Sequence, residues 1–162
     1  MVRRIIRLPS AEYARMYEVT VVPRVDLWLT NPSGKVALVE RRDEPHAGWW
    51  LPGGRFRPNM ELNEAVLDRV QQDLGLGIDL GRLTEVMTQH YRWGMPSFGV
   101  TAQLIGSVWC AELKSVEVAG LRVNSKYHQL SWNDPVELAE SHGGYHPSLT
   151  KIARGVLAHY RR

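Results

Sequence analysis

Short runs of apolar residues, several of them alternating with polar ones, occur along most of the chain and predict β-strands. Residues 25–30 form the first predicted strand, the Asn-Pro-Ser-Gly sequence at 31–34 a turn, and residues 35–41 the returning strand. These segments predict a β-hairpin, followed by a loop over residues 42–48. Three further strands are predicted, over residues 83–93, 100–113 and 127–132.

Helical periodicity occurs in the middle and at the end of the chain. A helix is predicted over residues 62–74, ending at Gly75 because glycine tolerates the left-handed backbone that often terminates a helix. A short helix over residues 135–141 and a terminal one over residues 148–160 close the chain. This order of elements predicts an α+β protein with a mixed β-sheet between helices, an α/β/α sandwich.

The central predicted helix carries an apolar stripe and a polar shoulder. At about 100° per residue, four aliphatic residues share one face. They are Val66, Leu67, Val70 and Leu74. Arg69, Gln72 and Asp73 lie beside this stripe, where polar side chains tend to face a cleft. The alternative is a solvated helix edge with an Arg69–Asp73 ion pair, and periodicity alone favours that simpler interpretation.

The composition is that of an ordinary globular protein, with 44% hydrophobic and 23% charged residues in 162 positions. This length predicts one domain over residues 1–162. No apolar run reaches the roughly 20 residues of a membrane helix. The first ten residues lack the apolar core of a secretory signal, so a cytoplasmic location without membrane attachment is expected. Cys110 is the only cysteine, which excludes an intrachain disulfide and a cysteine metal site.

The charge balance favours a small polyanionic ligand. The formal net charge is +3 and the pI about 9.2, which is compatible with binding phosphate groups. Because no groove-reading motif is recognisable, a phosphate-rich small molecule is favoured over nucleic acid as the partner.

The segment from Gly54 to Leu76 resembles the Nudix box, the signature of the Nudix superfamily. That signature is glycine, five residues, glutamate, seven residues, Arg-Glu, an aliphatic residue, any residue, Glu-Glu, any residue, glycine and an aliphatic residue. Both glycines, the spacing between them, and the aliphatic positions Val70 and Leu76 match. The resemblance implies the Nudix fold.

The charged positions of the box depart from that signature. Met60 stands at the first glutamate, and Asp68-Arg69 inverts the Arg-Glu pair. Gln72-Asp73 replaces Glu-Glu, so Asp73 alone remains of the three helical carboxylates that usually hold Mg²⁺ in the superfamily. The chain therefore carries a degenerate Nudix box.

One branch with a reduced box, the GDP-mannose mannosyl hydrolases, is similar to this chain over most of its length. The matching positions are Asp26, Gly34, Arg41, Pro45, Gly48, Trp50, Pro52 to Arg55, Leu74 to Leu76 and Trp132. The resemblance implies that a single Mg²⁺ or Mn²⁺ is held by Asp26, Asp73 and the carbonyl oxygen of Gly53, and oxygen ligands of this kind suit Mg²⁺. Asp26 interrupts an apolar strand, so it either needs a partner in the core or points at solvent.

The resemblance also implies residues for the substrate and for catalysis. Arg41 and Arg55 match arginines that hold the pyrophosphate and stabilise charge on the leaving group. The general base of the branch is a histidine, but Tyr127 falls at its position and His128 follows it. Adjacent strand residues point to opposite faces, so His128 serves as the base only if a bulge redirects it. An ordinary surface histidine is the alternative.

Three more residues are candidates near the pocket. Trp93 and Phe98 flank a glycine-containing loop, and they are the residues suited to stack a base or cap a sugar. His90 is a second candidate for the general base. The alternative for the aromatic pair is packing at the edge of the core.

The sequence supports three candidate functions of different classes. The first is a Mg²⁺- or Mn²⁺-dependent Nudix hydrolase of a nucleoside diphosphate derivative, with a nucleotide sugar such as GDP-mannose as substrate. The second is a Nudix-fold nucleotide-binding or regulatory module without turnover, which the replaced carboxylates favour. A third, an RNA-directed protein, is supported by basic character alone. A homodimer is compatible with the resemblance, since dimers are common in that branch.

Overall fold

Five α-helices and seven β-strands make up the described part of the chain, which covers residues 8–42, 48–55 and 57–162 of the computed structural model. The helices are α1 (Ser10–Val19), α2 (Leu62–Leu74), α3 (Ser115–Gly120), α4 (Pro135–Glu140) and α5 (Pro147–Tyr160). The strands are β1 (Val21–Thr30), β2 (Val36–Arg41), β3 (Gly48–Trp50), β4 (Gly53–Arg55), β5 (Thr84–Met95), β6 (Val100–Glu112) and β7 (Tyr127–Asn133). No helix in these ranges is long and apolar enough to cross a membrane. The predicted loop over residues 42–48, with Pro45, lies almost entirely outside the described residues.

Strand β1 is the centre of a mixed sheet. Along one edge it pairs in parallel with β6 over its whole length. Along the other edge it pairs antiparallel with β4 near Asp26 and with β2 at Thr30. Strands β3 and β7 extend the sheet from β2, and β5 extends it from β6. This arrangement confirms the predicted mixed sheet.

Two apolar cores cover the two faces of the sheet. On one face, Val25 and Leu27 of β1 pack with α2 around Val66 and Val70. On the other face, the core contains Trp28 of β1 together with residues of α1, α4 and α5. The sheet therefore lies between helices, as an α/β/α sandwich. Because side chains alternate along a strand, Asp26 shares its face with Trp28 and not with α2.

Helix α2 has the bounds predicted from the sequence. Glu61 and Glu64 form a capping box at its start, and Gly75 ends it with a φ of 66° while its N–H bonds to the Gln71 carbonyl. The predicted shoulder is also present, since Asp73 is fully buried and the Arg69 side chain is 13% exposed. Gln72, the third shoulder residue, is exposed.

Helices α1 and α3 were not predicted. Helix α1 buries Tyr17 alone, and α3 has six residues of which none is fully buried. Such short helices, mostly exposed to solvent, have no apolar stripe long enough to be recognised in the sequence.

Candidate functional site

Gly53, the first of two consecutive glycines, allows β4 to lie directly against β1. Gly53 has a φ of 142° and pairs with Asp26. A Cβ atom on Gly53 would lie 2.1 Å from the carbonyl oxygen of Val25, so a larger residue would force the strands apart. The carbonyl oxygen of Gly53 accepts a 2.7 Å hydrogen bond from the Arg41 guanidinium, and the Tyr127 hydroxyl lies 3.3 Å from the same oxygen.

Asp73 is the buried carboxylate of α2, and three donors surround it. The Lys126 Nζ atom lies 2.7 Å from its Oδ1, and an Arg69 guanidinium nitrogen lies 3.4 Å from the same atom. The Tyr127 hydroxyl lies 3.1 Å from the Oδ2 atom. Both carboxylate oxygens are therefore held by side chains of this chain, which lowers the penalty of burying the charge.

The segment before β7 brings Lys126 to Asp73 by bonding to the end of α2. The backbone N–H of Asn124 donates to the Asp73 carbonyl at 2.9 Å, and its side-chain amide donates to the Gln72 carbonyl at 2.9 Å. The side-chain oxygen of Asn124 accepts a hydrogen bond from the Lys126 N–H at 3.0 Å. The last carbonyls of a helix carry partial negative charge, which favours a lysine here.

Burial shifts the pKa values of the groups around Asp73. It lowers the pKa of Lys126 to about 8 against the opposing effect of Asp73, so this ammonium is mostly charged at pH 7. It raises the pKa of Tyr127, so the phenol is a neutral donor and not a base near pH 7. It also lowers the pKa of Arg41, which stays charged because the usual value for arginine is so high.

Asp26 is fully buried on the opposite face of the sheet from α2. Its Oδ1 atom accepts hydrogen bonds of 2.9 Å from Arg24 Nε and from Trp50 Nε1, and a second Arg24 nitrogen lies 2.8 Å away. Its Oδ2 atom accepts a 3.2 Å hydrogen bond from the Tyr91 hydroxyl. A Cβ atom at Gly106 would lie 2.3 Å from that oxygen, so glycine on β6 leaves the space that the carboxylate occupies. A buried Asp26 was predicted to need a partner, and Arg24 is that partner.

Basic side chains outnumber acidic ones around Gly53. The cationic cluster, as we name it, consists of Arg41, Arg69, Asp73 and Lys126. It carries two positive charges in excess, and Asp68 with Arg57 at its edge adds one charge of each sign. The Nε atoms of Arg41 and Arg69 are buried and have no hydrogen-bond partner within the described residues. Buried donors without acceptors are unfavourable, so the cluster is suited to receive an anion.

The sequence from β1 to the start of α5 matches a family model. The model is that of the NUDIX domain, and the match covers residues 20–148. The chain belongs to the NUDIX domain family. This membership indicates a hydrolase acting on nucleoside diphosphate derivatives.

Solved structures share the Nudix fold with this chain. The MutT protein from Methanosarcina mazei Go1 aligns with a TM-score of 0.69 and 16% identity, over 88% of this chain and 96% of that one. The Ap4A hydrolase of C. elegans gives 0.64 and 16%, over 87% and 98%. The NUDIX domain of Shewanella oneidensis NrtR, complexed with ADP ribose, gives 0.61 and 18%, over 93% and 99%. No curated protein matches the sequence.

Nudix hydrolases generally use divalent ions such as Mg²⁺ or Mn²⁺, and the side chains of this chain fit such an ion poorly. The resemblance implies Asp26, Asp73 and the Gly53 carbonyl as ligands. The structure does not bring the two carboxylates together, because they lie on opposite faces of the sheet and each is paired with its own basic residue. The Gly53 oxygen already accepts a bond from Arg41. Within the described ranges, no three His, Cys, Asp or Glu side chains are grouped to hold a metal.

Of the two arginines expected to bind pyrophosphate, only Arg41 lies in the cationic cluster. Arg55 is exposed and lies over the ring of Tyr13 at 5.0 Å, with a guanidinium nitrogen 3.3 Å from the Met16 sulfur, so it is directed toward α1. This direction follows from the alternation of side chains along β4.

The two aromatic candidates for ligand stacking pack against the core that contains α1 and α5. Trp93 stacks in parallel on His146 at 4.2 Å and meets Trp50 edge to face at 4.8 Å. Phe98 lies 6.3 Å from the ring of Tyr13. Neither ring is part of the cationic cluster, and Trp93 contacts Trp50, the tryptophan that donates to Asp26 on the other face of the sheet.

His128 lies at a β-bulge, but the bulge does not turn it inward. The register between β2 and β7 shifts so that Arg41 pairs with Tyr127 and Glu40 pairs with Gln129. Tyr127 is buried beside Asp73, whereas His128 is exposed. His90, the second candidate for the general base, is exposed on β5.

Lys126 and Arg24 were missed as site residues. Arg24 precedes Asp26 by two positions on a strand, and residues at that spacing share a face, so their pairing could have been found from the sequence. Lys126 gives no such signal, because its contact with Asp73 depends on how the segment before β7 folds against α2.

Proposed function

We propose that this Nudix domain binds the diphosphate of a nucleoside diphosphate derivative at the cationic cluster and hydrolyses that derivative. The observation that carries the proposal is the pair of buried Nε atoms on Arg41 and Arg69 that lack acceptors, in a cluster with excess positive charge. Diphosphate oxygens are strong acceptors whose geometry suits guanidinium groups. Family membership adds the hydrolase class.

A nucleotide sugar such as GDP-mannose is the substrate class that we propose. This choice rests on the resemblance to the GDP-mannose mannosyl hydrolases, in which Arg41 and the Gly53-Gly54 pair occupy matching positions. A nucleotide sugar carries two phosphate groups between two polar rings. The excess of two positive charges in the cluster balances the charge of one such diphosphate.

The residues of the cluster have separate tasks in this proposal. Arg41 is held by the Gly53 carbonyl, so its remaining N–H groups are oriented before the ligand binds. Charged Arg69 and Lys126 stabilise the negative charge that grows on the leaving phosphate. Tyr127 is a neutral donor that positions Asp73 and the Gly53 carbonyl.

A panel of nucleotide sugars, dinucleotides and nucleoside triphosphates tests the proposal. Each compound is incubated with the protein in EDTA, Mg²⁺ or Mn²⁺, and the products are separated by chromatography while binding is followed by calorimetry. We expect turnover of at least one nucleoside diphosphate derivative. Absence of both binding and turnover across the panel would reject the proposal.

Binding without turnover is the second candidate function. It is favoured by one observation, namely that Asp26 and Asp73, the two carboxylates expected to hold a metal, are each already paired with basic side chains. The oxygens of both carboxylates already accept hydrogen bonds or ion pairs from side chains, so they are not free to accept a proton from water. In the panel this candidate predicts a measurable dissociation constant for a nucleoside diphosphate derivative and no product.

The position of His128 gives a prediction for catalysis. Because the side chain is exposed and Tyr127 occupies the inward position, we expect His128→Gln to retain kcat within about threefold of the original protein. Loss of a general base typically lowers the rate by about 10²- to 10⁴-fold. Steady-state kinetics on a panel substrate distinguish the two outcomes, with His142→Gln, another exposed histidine, as the control.

A further inference from the structure

Lys126 occupies the side of the Gly53-Gly54 pair that faces α2. Its ammonium is 2.7 Å from Asp73 Oδ1, and a Cβ atom on Gly54 would lie 3.9 Å from it and 3.3 Å from an Arg69 nitrogen. Two basic side chains therefore cover Gly54 and share one carboxylate oxygen. Asp73 is the one carboxylate left at the metal positions of the degenerate box, and its Oδ2 atom is bonded to the Tyr127 hydroxyl, so both oxygens that a divalent ion could use already have partners.

The position of Lys126 is fixed by the fold. Asn124 bonds to two carbonyl groups at the end of α2 and to the N–H of Lys126. The ammonium also lies 4.9 Å from the centre of the Tyr127 ring, which adds an attraction between the cation and the ring. These contacts hold a charged group beside Asp73 before any ligand arrives.

A divalent ion placed at Asp73 would meet electrostatic repulsion. Lys126 and Arg69 contact the carboxylate directly, and Arg41 donates to the Gly53 oxygen that would be the next ligand. Like charges at such separations disfavour each other strongly where water is excluded. An ion could bind only if Lys126 left, and the contacts to Asn124 and Tyr127 oppose that movement.

We propose that the Lys126 ammonium, with the Arg69 guanidinium, supplies the positive charge that a divalent ion supplies at a complete Nudix box, so that a diphosphate binds here without a metal. This inference rests on the proposed function, since it concerns the same bound diphosphate. It assigns Lys126 as a ligand-binding residue that contacts phosphate oxygens. It also explains how a box with one remaining carboxylate keeps a phosphate-binding site.

Calorimetric titrations with GDP-mannose and with ADP-ribose as probes test the inference. We expect the dissociation constant of a probe that binds to change by less than about threefold between excess EDTA and millimolar Mg²⁺. In EDTA, Lys126→Ala should weaken binding by about tenfold or more, because one cation is lost and the Asp73 charge is left facing the phosphate. Adding Mg²⁺ to this variant should restore part of the affinity, since Asp73 becomes accessible to the ion.

Two further variants separate charge from folding. Lys126→Arg keeps the charge and should stay within about fivefold of the original affinity in EDTA. Lys35→Ala removes an exposed lysine in the turn between β1 and β2, and it should leave the affinity unchanged. Thermal melting of each variant checks that the domain is folded. If Lys126→Ala does not fold, the EDTA comparison on the original protein and the Lys126→Arg titration still decide the question.

The possible failures are distinguishable. Binding of either probe in Mg²⁺ but not in EDTA would overturn the inference and leave the proposed function standing. Binding in EDTA that Lys126→Ala does not weaken would also overturn it. Absence of binding by both probes in both conditions would reject the inference, while the wider panel decides whether the proposed function falls with it.

Discussion

Replacing Asp26 with asparagine should lower the free energy of unfolding by about 3–5 kcal/mol, because the variant leaves a buried arginine without its counter-charge. The Arg24 side chain is 2% exposed and its nearest acid is Asp26, at 2.8 Å. The asparagine can still accept a bond from Trp50, so the loss is mainly electrostatic. Chemical denaturation at pH 7 measures the effect, and for a domain of this length we expect the melting temperature to fall by roughly 10 °C.

A double-mutant cycle shows whether the loss comes from the ion pair. Arg24→Met alone should also destabilise the domain, because Asp26 would then be a buried charge with neutral donors only. The variant with both changes has no unpaired charge, so it should be more stable than the sum of the single effects predicts, by a few kcal/mol. The Arg15–Glu18 pair is a matched surface control, since its side chains are 68% and 54% exposed. Glu18→Gln should change stability by less than about 1 kcal/mol.

The same experiment separates a structural role of Asp26 from a role as a metal ligand. If the main role of Asp26 were to bind an ion, its carboxylate would not stabilise the domain in EDTA. The asparagine variant would then lose only the effects that depend on the bound ion. We expect the opposite, a large loss of stability in EDTA. A change below 1 kcal/mol for Asp26→Asn would contradict the structural role and favour the metal-ligand interpretation from the resemblance.

The features predicted correctly from the sequence depend on residues close together along the chain. The bounds of α2 follow from an apolar stripe and from Gly75, and both signals lie within the helix or next to it. The turn between β1 and β2 follows from the Asn-Pro-Ser-Gly sequence in the same way. The Nudix fold was reached through the spacing of the box, which the family match over residues 20–148 confirms.

The partners of the site residues could not be predicted in this way. Tyr127 is 54 positions from Asp73, and their contact depends on the register between β2 and β7. The sequence showed that His128 could face the site only if a β-bulge redirected it. It contained no information on which residue such a bulge would turn inward. Lys126 reaches Asp73 because Asn124 bonds to the end of α2, a contact between segments that local patterns do not encode.

The direction of the Asp26 side chain could be predicted only in part. Alternation along β1 permitted either a buried or an exposed carboxylate, and the neighbouring apolar residues did not decide between them. Arg24 on the same face is the sequence feature that could have indicated a buried pair, but it was missed. The placement of α2 on the opposite face, which separates Asp26 from Asp73, is a property of the packed sheet.

Replacing Arg41 with alanine should weaken binding of a nucleoside diphosphate probe by roughly 30- to 1000-fold, which corresponds to about 2–4 kcal/mol. Arg41 lies at the centre of the cationic cluster, it donates to the Gly53 carbonyl at 2.7 Å, and its Nε atom has no partner within the described residues. Arg41→Lys keeps the charge but loses the paired donors of the guanidinium, so an intermediate loss is expected. Calorimetry with GDP-mannose and ADP-ribose measures the affinities, and thermal melting shows whether each variant is folded.

Arg55 is the matched comparison for Arg41, because the resemblance assigns both arginines to the pyrophosphate. Its guanidinium lies over Tyr13 and beside Met16, outside the cationic cluster, so Arg55→Ala should change the affinity by less than about threefold. The ratio of the two effects therefore reports where the diphosphate lies. Equal losses for both variants would place the phosphate groups between the two arginines, and a larger loss for Arg55→Ala would contradict a binding site centred on Gly53 and Asp73.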